Sequence, residues 1–263
     1  MTAALPVISA LGVEACPLPT AILSNQTGYP SFFCDDFTDR LAPYIAEWKK
    51  RKVQFDGILT GFLMSDAQAD SIIQFVQDFK RKETIYVCDP VMADEGQLYG
   101  TYTPALCKKM TELARLADVI TPNLTELCIL TGVSFSEIEA KEGKADYLPT
   151  IETLAKTLLG DCLHTVVVTG IVHGAEIRTM AVTKTQTTQA VSKRFGGSYS
   201  GTGDLFSSVL SAALVRGETV DVAMHLAVRF LESAIEDSFK NGNDRNDGIN
   251  FQRFMGMLTE REK

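Results

Sequence analysis

One alternation constrains this chain more than any other feature. Short runs rich in Val and Ile recur at Thr20–Ser24, Phe55–Leu63, Thr84–Val91, Asp118–Pro122 and His164–Gly170. They are nearly unbroken in apolar character, as parallel strands covered on both faces must be. Helical stretches with readable ends separate them. Ser65 opens SDAQ, a capping box, before ADSIIQFVQDFKRK. Thr103 and Pro104 supply a cap and a first-turn proline before ALCKKMTELARLA. Gly132 can close the helix in LTELCILTG. Strand–helix–strand repetition predicts a mainly parallel sheet, right-handed crossovers and helices on both faces: a three-layer α/β/α sandwich. Gly174–Phe195 breaks the rule. It alternates apolar and polar residues and is rich in Thr, which predicts an antiparallel hairpin.

No internal repeat, low-complexity tract or linker divides the chain, so residues 1–263 are expected to form one domain. At 263 residues and 45% hydrophobic content, the chain can bury one sizeable core. Its net charge of −8 argues against a nucleic-acid partner, which would want a basic stripe. No apolar run reaches the roughly 18–20 residues that a membrane helix needs. MTAALPVISALG carries no positively charged leader, so a secretory signal is not expected. The six cysteines are scattered without a C-x-x-C pair, which predicts free thiols in a reducing cytoplasm.

Ligands of such sheets bind at the carboxyl ends of the strands, which directs attention to the loops after Ser24, Thr60, Cys88, Ile120 and Val168. The most informative segment lies later, in GGSYSGTGDLFSSVLSAALVRG. Leu205, Phe206, Val209, Leu210, Ala213 and Leu214 recur at helical spacing, and Gly217 is a plausible stop. The helix then begins near Gly203. Its first amides are unpaired and its dipole is positive there. Gly201 and Gly203 allow close backbone approach, so Gly201, Thr202 and Gly203 form a candidate anion hole for a phosphoryl group. Asp204 has two readings, a carboxylate that stabilises the helix start or a catalytic base. No P-loop or dinucleotide fingerprint is present.

Three further sites carry paired readings. In CDPVMADEG, Asp89, Asp94 and Glu95 are either a solvated acidic loop or carboxylates for hydrated Mg²⁺. In TPNLTE, Asn123 and Glu126 complete a capping box, or Glu126 orders a metal-bound water near phosphates. Thr169, in VVVTG, is a strand-end residue or a phosphate ligand. All of these fall at strand ends or a helix start, so one cleft can hold them together.

At this point DPVMAD, TPNLTE, VVVTG and SGTGDLF, in this order, resemble the ribokinase-like superfamily and, within it, the pyridoxal (vitamin B6) kinases. SNQTGY and LTGFL resemble that family's substrate-side segments. The resemblance covers nearly the whole chain. It implies phosphoryl transfer from ATP, with Mg²⁺ and a monovalent cation as candidate ions, to the hydroxymethyl group of a B6 vitamer. Asp204 would be the base, with Gly201, Thr202 and Gly203 as the anion hole. Asp89, Thr121, Asn123, Glu126 and Thr169 would serve the nucleotide phosphates. Asp89, Asp94 and Glu126 would serve the metal, directly or through water, and Thr27 and Phe62 would line the substrate pocket. A homodimer is implied by the resemblance alone.

Three departures accompany it. The chain opens at the helix that follows the family's first strand, so that strand and a substrate-contacting serine are expected to be absent. Gln26 stands where many members carry His, and Ala93 replaces a common Gly. The rivals are a hydroxymethylpyrimidine kinase of the same fold and a non-catalytic protein that binds vitamin or nucleotide.

Overall fold

The computed structural model describes residues 2–259. Its strands are β1 (Ala21–Leu23), β2 (Cys34–Asp36), β3 (Gly57–Thr60), β4 (Ile85–Cys88), β5 (Ala93–Asp94), β6 (Gln97–Leu98), β7 (Val119–Ile120), β8 (Thr165–His173), β9 (Glu176–Val182) and β10 (Thr187–Lys193). The helices are α1 (Ala4–Ala10), α2 (Thr38–Lys50), α3 (Asp66–Phe79), α4 (Pro104–Arg115), α5 (Leu124–Thr131), α6 (Phe135–Glu139), α7 (Tyr147–Leu158), α8 (Thr202–Val215), α9 (Val220–Lys240) and α10 (Gly256–Thr259).

Six strands form the central sheet in the order β10-β9-β8-β7-β4-β3. The pairs β3–β4, β4–β7 and β7–β8 are parallel, and β8–β9–β10 are antiparallel. The expected hairpin is therefore present, and it extends the sheet rather than standing free of it. The strands alternate between two cores, as their period of two demands. Tyr86, Cys88, Val166 and Val168 face the cluster built with α2 through α7. Val87 and Val167 face the cluster built with α1, α8 and α9. Both faces are covered, so the three-layer sandwich is observed.

Helix ends follow local chemistry. The Ser65 hydroxyl accepts the Gln68 amide at 3.2 Å, and Thr103 accepts the Leu106 amide at 3.1 Å. Gly132 ends α5 with φ of +72°, the left-handed conformation that only glycine adopts cheaply. No described helix is long and apolar enough to cross a membrane.

Two expectations need correction. The Thr20–Ser24 run is not a member of the central sheet. It pairs antiparallel with β2 as a separate ribbon. A central strand needs both faces covered, and Ile22 stays 51% exposed. The Gln68 side chain pins the ribbon by donating to the Thr20 carbonyl and the Asp36 carboxylate, each at 2.8 Å. Second, β8 does not end at Gly170. It continues to His173 through a register shift between Val168 and Ile171, with Gly170 at φ +67°. Among the described residues no strand precedes α1, and β3 forms the sheet edge.

Candidate active site

A backbone ladder lines up the functional loops. The Asp89 amide donates to the Thr60 carbonyl at 2.8 Å, the Thr121 amide to Cys88 at 3.1 Å, and the Thr169 amide to Pro122 at 2.9 Å. These bonds prolong the pairing of the sheet just beyond the strands. They place the first residues after β3, β4 and β7 on one rim, beside the bulge in β8.

Across that rim stands the start of α8. Gly201 is its N-cap residue, with φ of +81° and no side-chain cap. In α3, α4, α5 and α9 the caps are Ser65, Thr103, Asn123 and Thr219, whose side chains take an N-terminal amide. The amides at the start of α8 are thus left for another acceptor, at the positive end of the helix dipole. A Cβ at Gly203 would lie 3.6 Å from Asp89 Oδ2, and one at Gly61 would lie 3.9 Å from Asp204 Oδ1. Both glycines keep the approach to these carboxylates open. Gly61 is legible in the sequence only as a glycine just beyond a strand, a sign of close backbone approach.

The acidic loop is more ordered than its sequence suggested. Ala93 and Asp94 pair with Leu98 and Gln97 in a two-residue hairpin whose turn residues, Glu95 and Gly96, have φ of +49° and +78°. Ala93 is fully buried in strand conformation, so its Cβ packs without strain. Three bonds tie the loop to the TPNLTE turn, one of them from the Gly96 amide to Thr125 Oγ1 at 3.0 Å. Asn123 Nδ2 donates to the Ala93 carbonyl at 2.7 Å. The Met92 amide donates to Glu126 Oε1 at 3.0 Å, and the Asn123 amide donates to Glu126 Oε2 at 2.9 Å. Asn123 Oδ1 accepts the Glu126 amide at 2.9 Å, which completes the capping box. Both carboxylate oxygens of Glu126 are therefore occupied by backbone.

The electrostatics follow from burial. Asp89 is only 6% exposed. Desolvation, then the charge of Asp204, lifts its carboxyl pKa to about 7, with nearby hydroxyls of Thr121 and Ser207 opposing the rise. The Thr121 hydroxyl lies close to Asp89 yet reaches no hydrogen-bond partner of ordinary geometry, although Thr121 is 3% exposed. Glu126 is also lifted well above the usual carboxylate range, by desolvation and then by Asp89. Asp204 is raised by desolvation as well. Its residue surface is nevertheless open. The two facts agree, because the open side gives onto the cleft and protein surrounds the rest.

That cleft belongs to one continuous groove of about 2630 Å³, which also runs along the edge strand β3 past Trp48, Phe55 and Val215. Asp89, Asp94, Thr121, Asn123, Glu126, Thr169, the 201–203 turn and Asp204 all line it, as do Thr27 and Phe62. Phe62 is backed from behind the lining by the buried Tyr102, whose ring lies 6.0 Å away edge-on and whose hydroxyl accepts the Leu63 amide at 3.3 Å. Tyr102 carried no signal in the sequence beyond its aromatic character.

An uncapped helix start, an adjacent carboxylate and a row of strand-end acids and hydroxyls define an α/β kinase of the ribokinase-like superfamily. The chain belongs to the phosphomethylpyrimidine kinase family, which residues 1–248 match. It is 28% identical over 243 residues to the pyridoxine/pyridoxal/pyridoxamine kinase of Bordetella avium, covering 88% of this chain and 78% of that protein. A Bacteroides thetaiotaomicron structure assigned to the phosphomethylpyrimidine kinases and crystallised with pyridoxal superposes with a TM-score of 0.91 at 33% identity. The match covers 100% of this chain and 91% of that one. Pyridoxal kinase from Lactobacillus plantarum superposes with a TM-score of 0.85 at 27% identity, over 97% and 89% of the two chains.

Proposed function

We propose that this protein transfers a phosphoryl group from MgATP to the hydroxymethyl group of pyridoxal, pyridoxine or pyridoxamine. The observation that carries the reading is Asp204 itself. It stands in the first turn of an uncapped helix, exposed and lining the cleft. The relatives named as B6 kinases supply the acceptor class.

In this reading the two ligands meet at the start of α8. The amides of 201–203 face the moving phosphoryl group and neutralise its charge without reorganising. Asp204 accepts the proton of the attacking hydroxyl, and its desolvated carboxylate is a stronger base than a solvated one. The Thr121 hydroxyl, which lies beside Asp89, donates to a nucleotide phosphate together with Thr169. Thr27 and Phe62 bound the side that takes the pyridine ring.

The acidic residues fit a Mg²⁺ ion that enters with the nucleotide. Among the described residues, no three His, Cys, Asp or Glu side chains converge as a metal cage, whereas Asp89 and Asp94 reach the cleft beside Thr121. Asp89 and Asp94 would hold the ion, directly or through water, with Glu126 bracing the loop behind them. Bound there, it would neutralise phosphate charge. The six unpaired cysteines suit a cytoplasmic setting, and a homodimer completes the proposal.

The test is ATP-dependent phosphorylation of pyridoxal, pyridoxine, pyridoxamine and hydroxymethylpyrimidine, with product identified by mass. The reading expects the B6 vitamers to be turned over at least tenfold more efficiently than the pyrimidine. Preference for the pyrimidine, or turnover of none, contradicts it.

A further inference from the structure

A ten-residue excursion, Ser24–Phe33, joins β1 to β2 and carries Thr27 at the cleft. Its neck is closed by its own bonds. The Ser24 amide donates to the Phe33 carbonyl at 2.9 Å, the Phe33 amide to Ser24 Oγ at 2.9 Å, and Asn25 Nδ2 to the Ser31 carbonyl at 2.9 Å. Its tip is bonded elsewhere. Gln26 Nε2 donates to Asn246 Oδ1 at 2.6 Å, across 220 positions of sequence. The Tyr29 hydroxyl donates to the Asp247 carboxylate. The Gly28 amide donates to Gln26 Oε1 at 2.6 Å, which fixes the orientation of that amide and turns its NH₂ toward Asn246.

The receiving segment is attached in turn to the glycine-rich turn. The Ser200 amide donates to the Arg245 carbonyl at 2.9 Å, and Arg245 Nη2 donates to Ser198 Oγ at 3.0 Å. Gly248 lies so near that a Cβ there would sit 3.2 Å from the Ser200 carbonyl oxygen. Ser200 immediately precedes Gly201, the cap residue of α8. One short segment therefore grips both the substrate-side loop and the turn that presents the anion hole. The loop has little apolar anchorage of its own, since Phe33 is 71% exposed. Its position over the cleft depends on these polar bonds, each of which is modest in water.

We infer that Asn246 is a positioning residue. Through Gln26 it latches the substrate-side loop to the segment that holds the glycine-rich turn, so that filling either half of the cleft favours filling the other. Tyr29–Asp247 is the second bond of the same latch. The inference rests on the kinase reading above for the identity of the two ligands. Coupling of this kind is reciprocal: pyridoxal must tighten the nucleotide by the same factor as the nucleotide tightens pyridoxal.

Calorimetry on the full chain tests it, with a non-hydrolysable ATP analogue titrated in the presence and absence of saturating pyridoxal. The wild type is expected to bind the analogue on the order of tenfold more tightly when pyridoxal is present. Asn246→Ala should reduce that factor to about twofold or less. Asn246→Asp, which keeps the acceptor for Gln26, should retain most of it, and Tyr29→Phe should fall between. In turnover, Asn246→Ala should raise the KM for pyridoxal severalfold more than it lowers kcat. A merely structural role would weaken both ligands equally and leave the coupling factor unchanged, and that result would overturn the inference. Amide hydrogen exchange of the ligand-free protein separates the latch from the kinase reading. Loss of protection across residues 24–33 in Asn246→Ala and Tyr29→Phe supports the latch even where pyridoxal is not the substrate. Unchanged exchange sinks it even where pyridoxal is.

Discussion

The carboxylate of Glu126 accepts the backbone amide of Met92 at 3.0 Å, across 34 positions of sequence. Its other oxygen takes the amide of Asn123 at 2.9 Å. A residue that looks like the end of a capping box is thus also the tie between the acidic loop and the nucleotide-side turn. At 3% exposure it brings a carboxyl group into the interior, and backbone donors surround it.

Glu126→Ala leaves those two amides without a partner. A buried donor left unsatisfied costs about 1–3 kcal/mol, partly offset by removing a desolvated carboxyl. The variant should lose roughly 2–4 kcal/mol of stability in denaturant unfolding. Activity should fall as the Asp89–Asp94 loop loosens. Unfolding at wild-type denaturant concentration would show that the tie contributes little.

Asp89 makes stability depend on pH in a stated direction. Its pKa in the folded protein, about 7, lies above that of an unfolded Asp, near 3.9. The protonated carboxyl contributes its full stability below about pH 4, and this is lost as pH rises through 7. Asp89→Asn has no such loss. In the ligand-free protein the Tm of the variant minus that of the wild type should grow by several degrees between pH 5 and pH 8. A gap that stays constant or narrows contradicts the burial argument.

The glycines at the start of α8 should separate stability from chemistry. Gly203→Ala meets only an ordinary contact, 3.6 Å from Asp89 Oδ2, so its melting should stay close to wild type. Its Cβ nevertheless stands where a phosphoryl group must approach the helix amides, and kcat should fall at least tenfold. Gly201→Ala is strained at φ +81° and should also lose about 1–2 kcal/mol of stability. Comparing melting curves with turnover for the two variants checks both claims.

Local chemistry was legible in the sequence and tertiary contact was not. Ser65, Thr103, Asn123 and Gly132 mark helix ends through residues three or four positions apart, and each end is observed, although the expected capping box at Ser65 is only half formed because Gln68 Oε1 takes the Met64 amide instead. The apolar runs at β3, β4, β7 and β8 declare their double burial through composition. Thr20–Ser24 is as short and apolar a run as Asp118–Pro122, which does enter the central sheet. Nothing local says that Ile22 faces solvent instead of joining the central sheet. Gly170 inside an apolar strand was a readable sign of the bulge. For the candidate site, strand-end position pointed to Asp89, Thr121 and Thr169, and the glycine-rich helix start pointed to Asp204. Neither could reveal that Glu126 spends both oxygens on backbone, or that Gln26 meets Asn246. Those contacts exist only once the chain has folded.

The central claim is that Asp204 is the base at the start of α8. The most direct test is single-turnover phosphorylation of pyridoxal by Asp204→Asn, with nucleotide affinity measured on the same preparation. Loss of a positioned general base should cut the rate by roughly 10²–10⁴-fold, while the Kd for an ATP analogue stays within about threefold of wild type. Near-wild-type turnover would contradict the account and leave Asp204 as no more than a stabiliser of its helix.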